Sequence, residues 1–279
     1  MRRVLSVIVG ILLVHVCLPQ ASKAETIFYS LDREQPSGNP MKLVRFPSNP
    51  GDGKNLTVIA DVPGLPSQPV GATMDLSNDG RLFVAPLGNT LYAIDPTTGT
   101  TLGSVSITSA GNNYIAGVAV ANGGRLYLCQ DLNPGAKLWS VDFDAQQATM
   151  LMTTTIKIDD IDFDGQGNLI GEDLNDSGNM YRIPLDGSQP TAIANLGIRG
   201  VTVMTHSVQD NAFYFKAGAA GQTLYRVAWL NGQPAGSFEQ VDTIGPGHYV
   251  GLAAIPEPST ALLLLSAGAF SLRRRRRMA

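Results

Sequence analysis

Short apolar strands separated by polar turns fill the middle of the chain. The unit is a turn with Gly or Asn, an apolar triplet, a polar loop and a second strand carrying Leu or Met, usually with an aromatic. The clearest copy is Asp79-Gly80-Arg81-Leu82-Phe83-Val84 followed by Thr90-Leu91-Tyr92-Ala93-Ile94-Asp95. The same order returns at Gly123-Gly124-Arg125-Leu126-Tyr127-Leu128, at Gly167-Asn168-Leu169-Ile170 and at Asp210-Asn211-Ala212-Phe213-Tyr214-Phe215. Leu82, Leu126, Leu169 and Phe213 are 44, 43 and 44 residues apart. Another apolar strand precedes each copy: Gly71-Ala72-Thr73-Met74, Gly117-Val118-Ala119-Val120, Asp160-Ile161-Asp162-Phe163 and Gly200-Val201-Thr202-Val203. A fifth such strand, Gly251-Leu252-Ala253-Ala254, has no copy after it.

A repeat of this length holds four short strands, the size of one propeller blade. The start of the body supplies what the fifth strand lacks. Thr26-Ile27-Phe28-Tyr29 and Met41-Lys42-Leu43-Val44-Arg45-Phe46 read as second and third strands without a first. The expectation is therefore an all-β, five-bladed β-propeller over residues 25–255, its first blade closed jointly by N- and C-terminal strands. Such closure removes the open edges that invite aggregation. A β-sandwich of about ten or more strands is the alternative. Leu91-Tyr92-Ala93-Ile94-Asp95-Pro96-Thr97-Thr98-Gly99 resembles blades of quinoprotein-type and YVTN-type propellers, which implies fold and not cofactor.

The ends differ from the body. Arg2 and Arg3, an apolar run from Val4 to Leu18 and small residues at Ser22 and Ala24 are the three parts of a secretory signal peptide. Residues 1–24 are assigned to it, with the cut after Ala24 by signal peptidase. An uncleaved anchor is the alternative; the residues before Cys17 match a lipidation site poorly. At the other end, Pro256-Glu257-Pro258 precedes an apolar run from Ala261 to Leu272 and then Arg273, Arg274, Arg275, Arg276 and Arg277. Residues 256–279 resemble the PEP-CTERM sorting tail in all three parts and their order. The resemblance implies a bacterial protein processed by a membrane-bound exosortase, with Pro256, Glu257 and Pro258 recognised rather than catalytic. It places the protein at the cell envelope, cell surface or extracellular matrix. Arginines are costly in hydrocarbon, so the cluster would stop transfer on the cytoplasmic side. Ser259 to Leu272 is only 14 residues, against roughly 20 for a spanning helix, so this short hydrophobic helix would have to thin the membrane or be held only briefly; the resemblance implies the latter, a transient membrane contact.

Charge sharpens the picture. Setting aside three basic residues at the start and five at the end, 12 basic face 23 acidic residues, a net of −11. A body this acidic repels phosphate backbones, which argues against nucleic acid. Cys129 is the one cysteine outside the signal peptide, and its Leu-Tyr-Leu-Cys context predicts burial.

Candidate chemistry is sparse. Only His206 and His248 lie outside the signal peptide, and neither a nucleophile elbow, a phosphate loop nor a zinc spacing occurs. Asp160, Asp162 and Asp164 before Gly165 match the opening of a calcium loop, but position twelve is Gly171 and Glu172 comes one residue late. The repeat alignment explains Asp164 to Asn168 equally as a turn, so no cofactor is assigned and calcium stays an alternative. The loops of one propeller face would present Tyr114, Asp131, Asp159, Asp160, Glu172, Asp173, Arg199, His248 and Tyr249. Aromatics beside acids suit a sugar or a cation. Two readings follow: a non-catalytic binding or scaffold propeller for polysaccharide or surface proteins, or a secreted glycosidase- or lactonase-like enzyme using Asp159, Asp160 and Glu172.

Overall fold

The computed structural model describes residues 25–255, apart from 34–38, 52, 67–71, 87, 109–113, 133–134, 174–177, 198–199, 218–222 and 246. The signal peptide with Ala24, the tail with Pro256, Glu257, Pro258 and its predicted helix, the five arginines Arg273 to Arg277, and Arg199 lie outside the described residues.

Twenty strands, numbered in chain order, form five four-stranded antiparallel sheets. Blade I joins the two ends of the body: β1 (Ile27–Asp32), β2 (Met41–Pro47) and β3 (Thr57–Val62) follow β20 (Tyr249–Ile255), the innermost strand. Blade II is β4 (Ala72–Leu76), β5 (Leu82–Pro86), β6 (Thr90–Ile94) and β7 (Thr101–Ser106). Blade III is β8 (Ile115–Val120), β9 (Leu126–Asp131), β10 (Ala136–Asp142) and β11 (Gln147–Thr154). Blade IV is β12 (Asp160–Phe163), β13 (Leu169–Asp173), β14 (Asn179–Ile183) and β15 (Thr191–Asn195). Blade V is β16 (Val201–Ser207), β17 (Ala212–Ala217), β18 (Thr223–Leu230) and β19 (Gln233–Thr243). The inner strands pack successively, β4 on β8, β8 on β12, β12 on β16, β16 on β20 and β20 on β4, which closes a ring. This closure is the five-bladed arrangement that the repeat predicts, and it leaves no place for a sandwich. β3, the outermost strand of blade I, is an element the sequence pattern does not reveal.

The apolar triplets mark second strands because these are buried on both faces. In β5, Leu82 and Val84 pack toward blade I, with Leu31, Leu43 and Val62. Phe83 and Ala85 pack toward blade III, with Leu126, Leu128 and Phe143. A strand between two neighbours reads as continuous apolar residues rather than as an alternation. Blade V fills the same positions with larger side chains: Phe213 and Phe215 face blade IV, and Phe213 meets Trp229 edge-on at 4.6 Å between ring centroids. The outer strands keep solvent on their far side, so β3, β7, β11, β15 and β19 are largely exposed and polar.

The turns from first to second strand share one hydrogen-bond pattern. Ser77 N–H donates to Arg81 O and Gly80 N–H to Ser77 O, and Ala121/Arg125/Gly124 and Asp164/Asn168/Gly167 repeat both bonds. The pattern needs a left-handed residue, supplied by Gly80, Gly124 and Gly167 at φ of +88°, +80° and +83°. In blade V the turn is one residue longer: His206 pairs with Phe213, where Leu76 pairs with Leu82.

Close approach at the ring centre fixes one other glycine. A Cβ on Gly117 of β8 would lie 2.7 Å from the Ile161 backbone nitrogen and 2.9 Å from its Cγ1, while one on Gly123 would meet nothing within 4 Å. Gly117→Ala is expected to cost about 2 kcal/mol by forcing blades III and IV apart, and Gly123→Ala about 0.5 kcal/mol or less. Urea unfolding of the two variants checks this; equal costs would sink the close-packing account.

Candidate functional site

An innermost strand has a partner on one side only. Its other backbone N–H groups face the ring centre, where an unmade hydrogen bond is costly. Side chains of the preceding inner strand meet this need. Thr73 Oγ1 accepts from Val118 N–H (3.2 Å) and Asp75 Oδ2 from Val120 N–H (2.7 Å), linking β4 to β8. Asp160 Oδ2 accepts from Met204 N–H (2.9 Å) and Asp162 Oδ2 from His206 N–H (2.6 Å), linking β12 to β16. Thr205 Oγ1 accepts from Ala254 N–H (3.1 Å), linking β16 to β20. Asp160 Oδ1 also accepts from Thr73 Oγ1 at 2.9 Å, a contact between blades II and IV across the ring. Lys216 of β17, fully buried, donates from Nζ to Ser30 Oγ (2.9 Å) and to Gly251 O, joining blade V to blade I.

These groups are buried, and burial shifts their protonation equilibria. Burial pushes Asp160 well above the usual carboxylate range against the hydrogen bonds from Met204, Thr73 and Ile161. Burial, then the nearby Asp162 charge, does the same to Asp75. Asp162 is raised by burial to about 7, opposed by the N–H groups of His206 and Phe163 and by the Thr205 hydroxyl. Burial drives Lys216 down, and the charge of Asp160 opposes that.

The three aspartates of the calcium-loop expectation therefore have separate occupations. Along a strand, alternate residues stand roughly 6.6 Å apart on one face rather than converging on a point. Asp164 caps the turn: its Oδ1 accepts from the N–H of Gln166 (2.9 Å) and Asn168 (2.8 Å), its Oδ2 from Asn168 Nδ2 (2.8 Å) and Trp229 Nε1 (3.1 Å). Among the described residues no three His, Cys, Asp or Glu side chains gather around a common point. The turn accounts for Asp164, while Asp160 and Asp162 accept backbone N–H groups of β16.

The loops expected to form the binding face divide. Tyr114, at the entry to β8, hydrogen-bonds the Asp131 carboxylate at the end of β9, and burial and then that bond push its hydroxyl up to about 12. Asp159 lies close enough to add to this shift, and Lys157 Nζ stands 3.0 Å from Asp159 Oδ1. The structure thus gathers Tyr114, Asp131, Lys157 and Asp159 at the blade III–IV junction on the predicted face. Asp160, Glu172, Asp173 and Tyr249 are not on a loop surface. Asp160 is 1% exposed on β12 and Glu172, directly opposite it on β13, is 0% exposed. Asp173 is buried, and Tyr249 is packed with Phe28, Val44 and Leu252 between blades V and I. His248 is half-buried, its Nδ1 3.4 Å from the Arg33 guanidinium. Two hollows lie on the opposite face: a cavity of about 130 Å³ at the ring mouth, lined by Asp75, Asp162, Asp164 and His206 among others, and a groove of about 480 Å³ beside Arg81, Arg125 and Phe143.

Asp75, Lys157 and Lys216 were not singled out from sequence. A signal for Asp75 exists: Thr73/Asp75 and Asp160/Asp162 stand 87 residues apart, two repeat lengths, with the same polar-apolar-polar spacing. Cys129 is 2% exposed and its Sγ donates to Ile158 O at 3.5 Å, in the burial its context predicts.

Asp162 sets a pH dependence. The folded state holds its proton up to about pH 7, where the unfolded carboxyl is already ionised. Its contribution is therefore most favourable at low pH and is lost as pH rises from about 4 to 7. Asp162→Asn keeps an oxygen for His206 N–H. It is expected to raise Tm over the parent by ~3 °C at pH 8 and by much less at pH 5. Thermal melts at both pH values check this, and an equal difference at both would contradict it.

Comparison with known proteins adds the end of the chain. The model of the PEP-CTERM protein-sorting motif matches residues 254–277. No curated protein matches the chain. Among solved structures the chain is similar to TolB from Acinetobacter baumannii, with 13% identity, 84% of this chain and 67% of that one covered, and a TM-score of 0.50. It is also similar to a protein of unknown function from Bacteroides caccae, with 8% identity, 84% and 100% covered and a TM-score of 0.48. At such identities the likeness speaks to fold alone. A motif of this kind marks exported proteins sorted to the cell surface by an exosortase. The chain thus carries a PEP-CTERM sorting motif at its C-terminus, beginning within the last inner strand of a five-bladed β-propeller.

Proposed function

We propose that the protein is a non-catalytic binding or scaffold propeller of the bacterial surface or extracellular matrix, and that the Tyr114–Asp131–Lys157–Asp159 cluster takes polysaccharide. The observation that carries this reading is the pairing of a sorting motif with a body whose central acids are tied into its frame. Asp75, Asp160 and Asp162 each accept one backbone N–H from the next blade and one from the residue that follows them. A hydrolase needs one carboxyl and a second carboxylate free across a pocket. Asp159 is engaged by Lys157, and Glu172 is fully buried. At the cluster, a half-buried aromatic ring beside acceptors and an ammonium donor suits the faces and hydroxyls of a sugar.

A thermal-shift panel of acidic and neutral extracellular polysaccharides is expected to raise Tm by about 2 °C or more for a bound glycan. Tyr114→Ala should abolish that rise while changing the unliganded Tm little. Release of reducing sugar from any panel member, lost in Asp159→Asn, would replace this reading with the secreted-enzyme one.

A further inference from the structure

The two membrane-directed ends of this chain leave the propeller on one face. Ile27, at the start of β1, is paired with Ile255, at the end of β20. Just before it, Thr26 Oγ1 is 2.8 Å from Ser207 Oγ and 3.2 Å from Asp210 Oδ1, at the turn between β16 and β17. That is the face of the first-to-second-strand turns, opposite the face with Tyr114 and Asp159. The sorting motif begins inside the fold: Ala254 is its first residue, pairs with Phe28 and donates its N–H to Thr205.

Five exposed large apolar side chains lie toward this face, while Met150 and Val241 lie further along the outer strands β11 and β19. Val208 is 70% exposed in the turn after β16, Leu230 is 59% exposed at the end of β18, and Leu185 is 41% exposed in the turn after β14. Val58 and Leu102, each the second residue of an outer strand that starts at this face, are 52% and 55% exposed. Scattered singly these would need no explanation. Spread over blades I, II, IV and V toward the face from which the sorting tail departs, they offer apolar contacts to an interfacial surface.

We propose that this turn-bearing face lies against the bilayer surface while the tail is held in the membrane, and that the Tyr114–Asp159 face is thereby presented outward. The inference rests on the membrane-held stage of the sorting reading. Tether length enforces it. Pro256 to Thr260 spans at most about 18 Å when fully extended, and it starts from the innermost strand rather than from the rim. Turning the opposite face to the membrane would carry the chain back along the height of β20, about 23 Å for seven residues. The short tether does not reach.

The test uses residues 25–279, the chain left after signal-peptide removal, in phosphatidylcholine vesicles containing a headgroup spin-labelled phosphatidylcholine. A fluorophore is placed at Asn122→Cys on the turn-bearing face or at Thr108→Cys on the other; both sites are exposed, and Cys129 is buried and stays unlabelled. Vesicle flotation is read first. Quenching at Asn122→Cys is expected to exceed that at Thr108→Cys by at least about threefold. Val208→Glu with Leu230→Glu, both on exposed turns, should then reduce the quenching at position 122. Co-flotation with equal or reversed quenching overturns the orientation alone, and unchanged quenching in the double variant overturns contact by the turn tips. Failure to co-float overturns both the orientation and the membrane-held stage beneath it.

Discussion

Everything in this molecule depends on how the inner edges of five sheets are satisfied around one axis. A lone β-sheet leaves its edge N–H groups to water or to another chain. Here the edges face inward, where water is scarce, and the preceding inner strand supplies the acceptors. Blades II to III, IV to V and V to I use Thr or Asp oxygens on the next strand's N–H groups. Between blades III and IV the corresponding positions are Gly117 and Ala119, and the backbones instead come close enough that a Cβ on Gly117 would clash. Small residues and hydrogen-bonding ones are two answers to the same geometry.

This bears on function because it decides which acids are available. Asp160 stands out in the sequence by replacing a glycine, and an acid in an unusual place invites a catalytic or metal reading. In the fold its two oxygens take N–H and hydroxyl donors from three strands, its own β12 among them. Its raised protonation range reflects a dry structural position, and a perturbed acid is as much a mark of such frames as of active sites. The proposed ligand site is instead peripheral, at Tyr114, Asp131, Lys157 and Asp159 of one blade junction.

The closing strand ties this frame to export. β20 is the last element of the body and supplies the inner strand of the first blade, so the ring is complete only once residues 249–255 are in place. The sorting motif begins at residue 254, within that strand. The first two residues of the motif, Ala254 and Ile255, are therefore part of the ring.

The sequence by itself determined the repeat, the five inner strands, the shared first blade, the burial of Cys129 and the sorting tail. Each is a local or periodic property: apolar triplets arise because second strands lie between two blades, and turn glycines because the turn needs a left-handed residue. Only the tertiary structure decided where the acids point. Asp160 and Asp159 are neighbours in the chain, yet one accepts from Met204, 44 residues on, and the other faces Lys157 at the surface. Alternation along a strand turns them to opposite surroundings, and those surroundings are built by blades distant in sequence. The outer strands, β3 among them, escaped the pattern because strands half-exposed to solvent vary from blade to blade and lack the repeated residues that mark the inner ones.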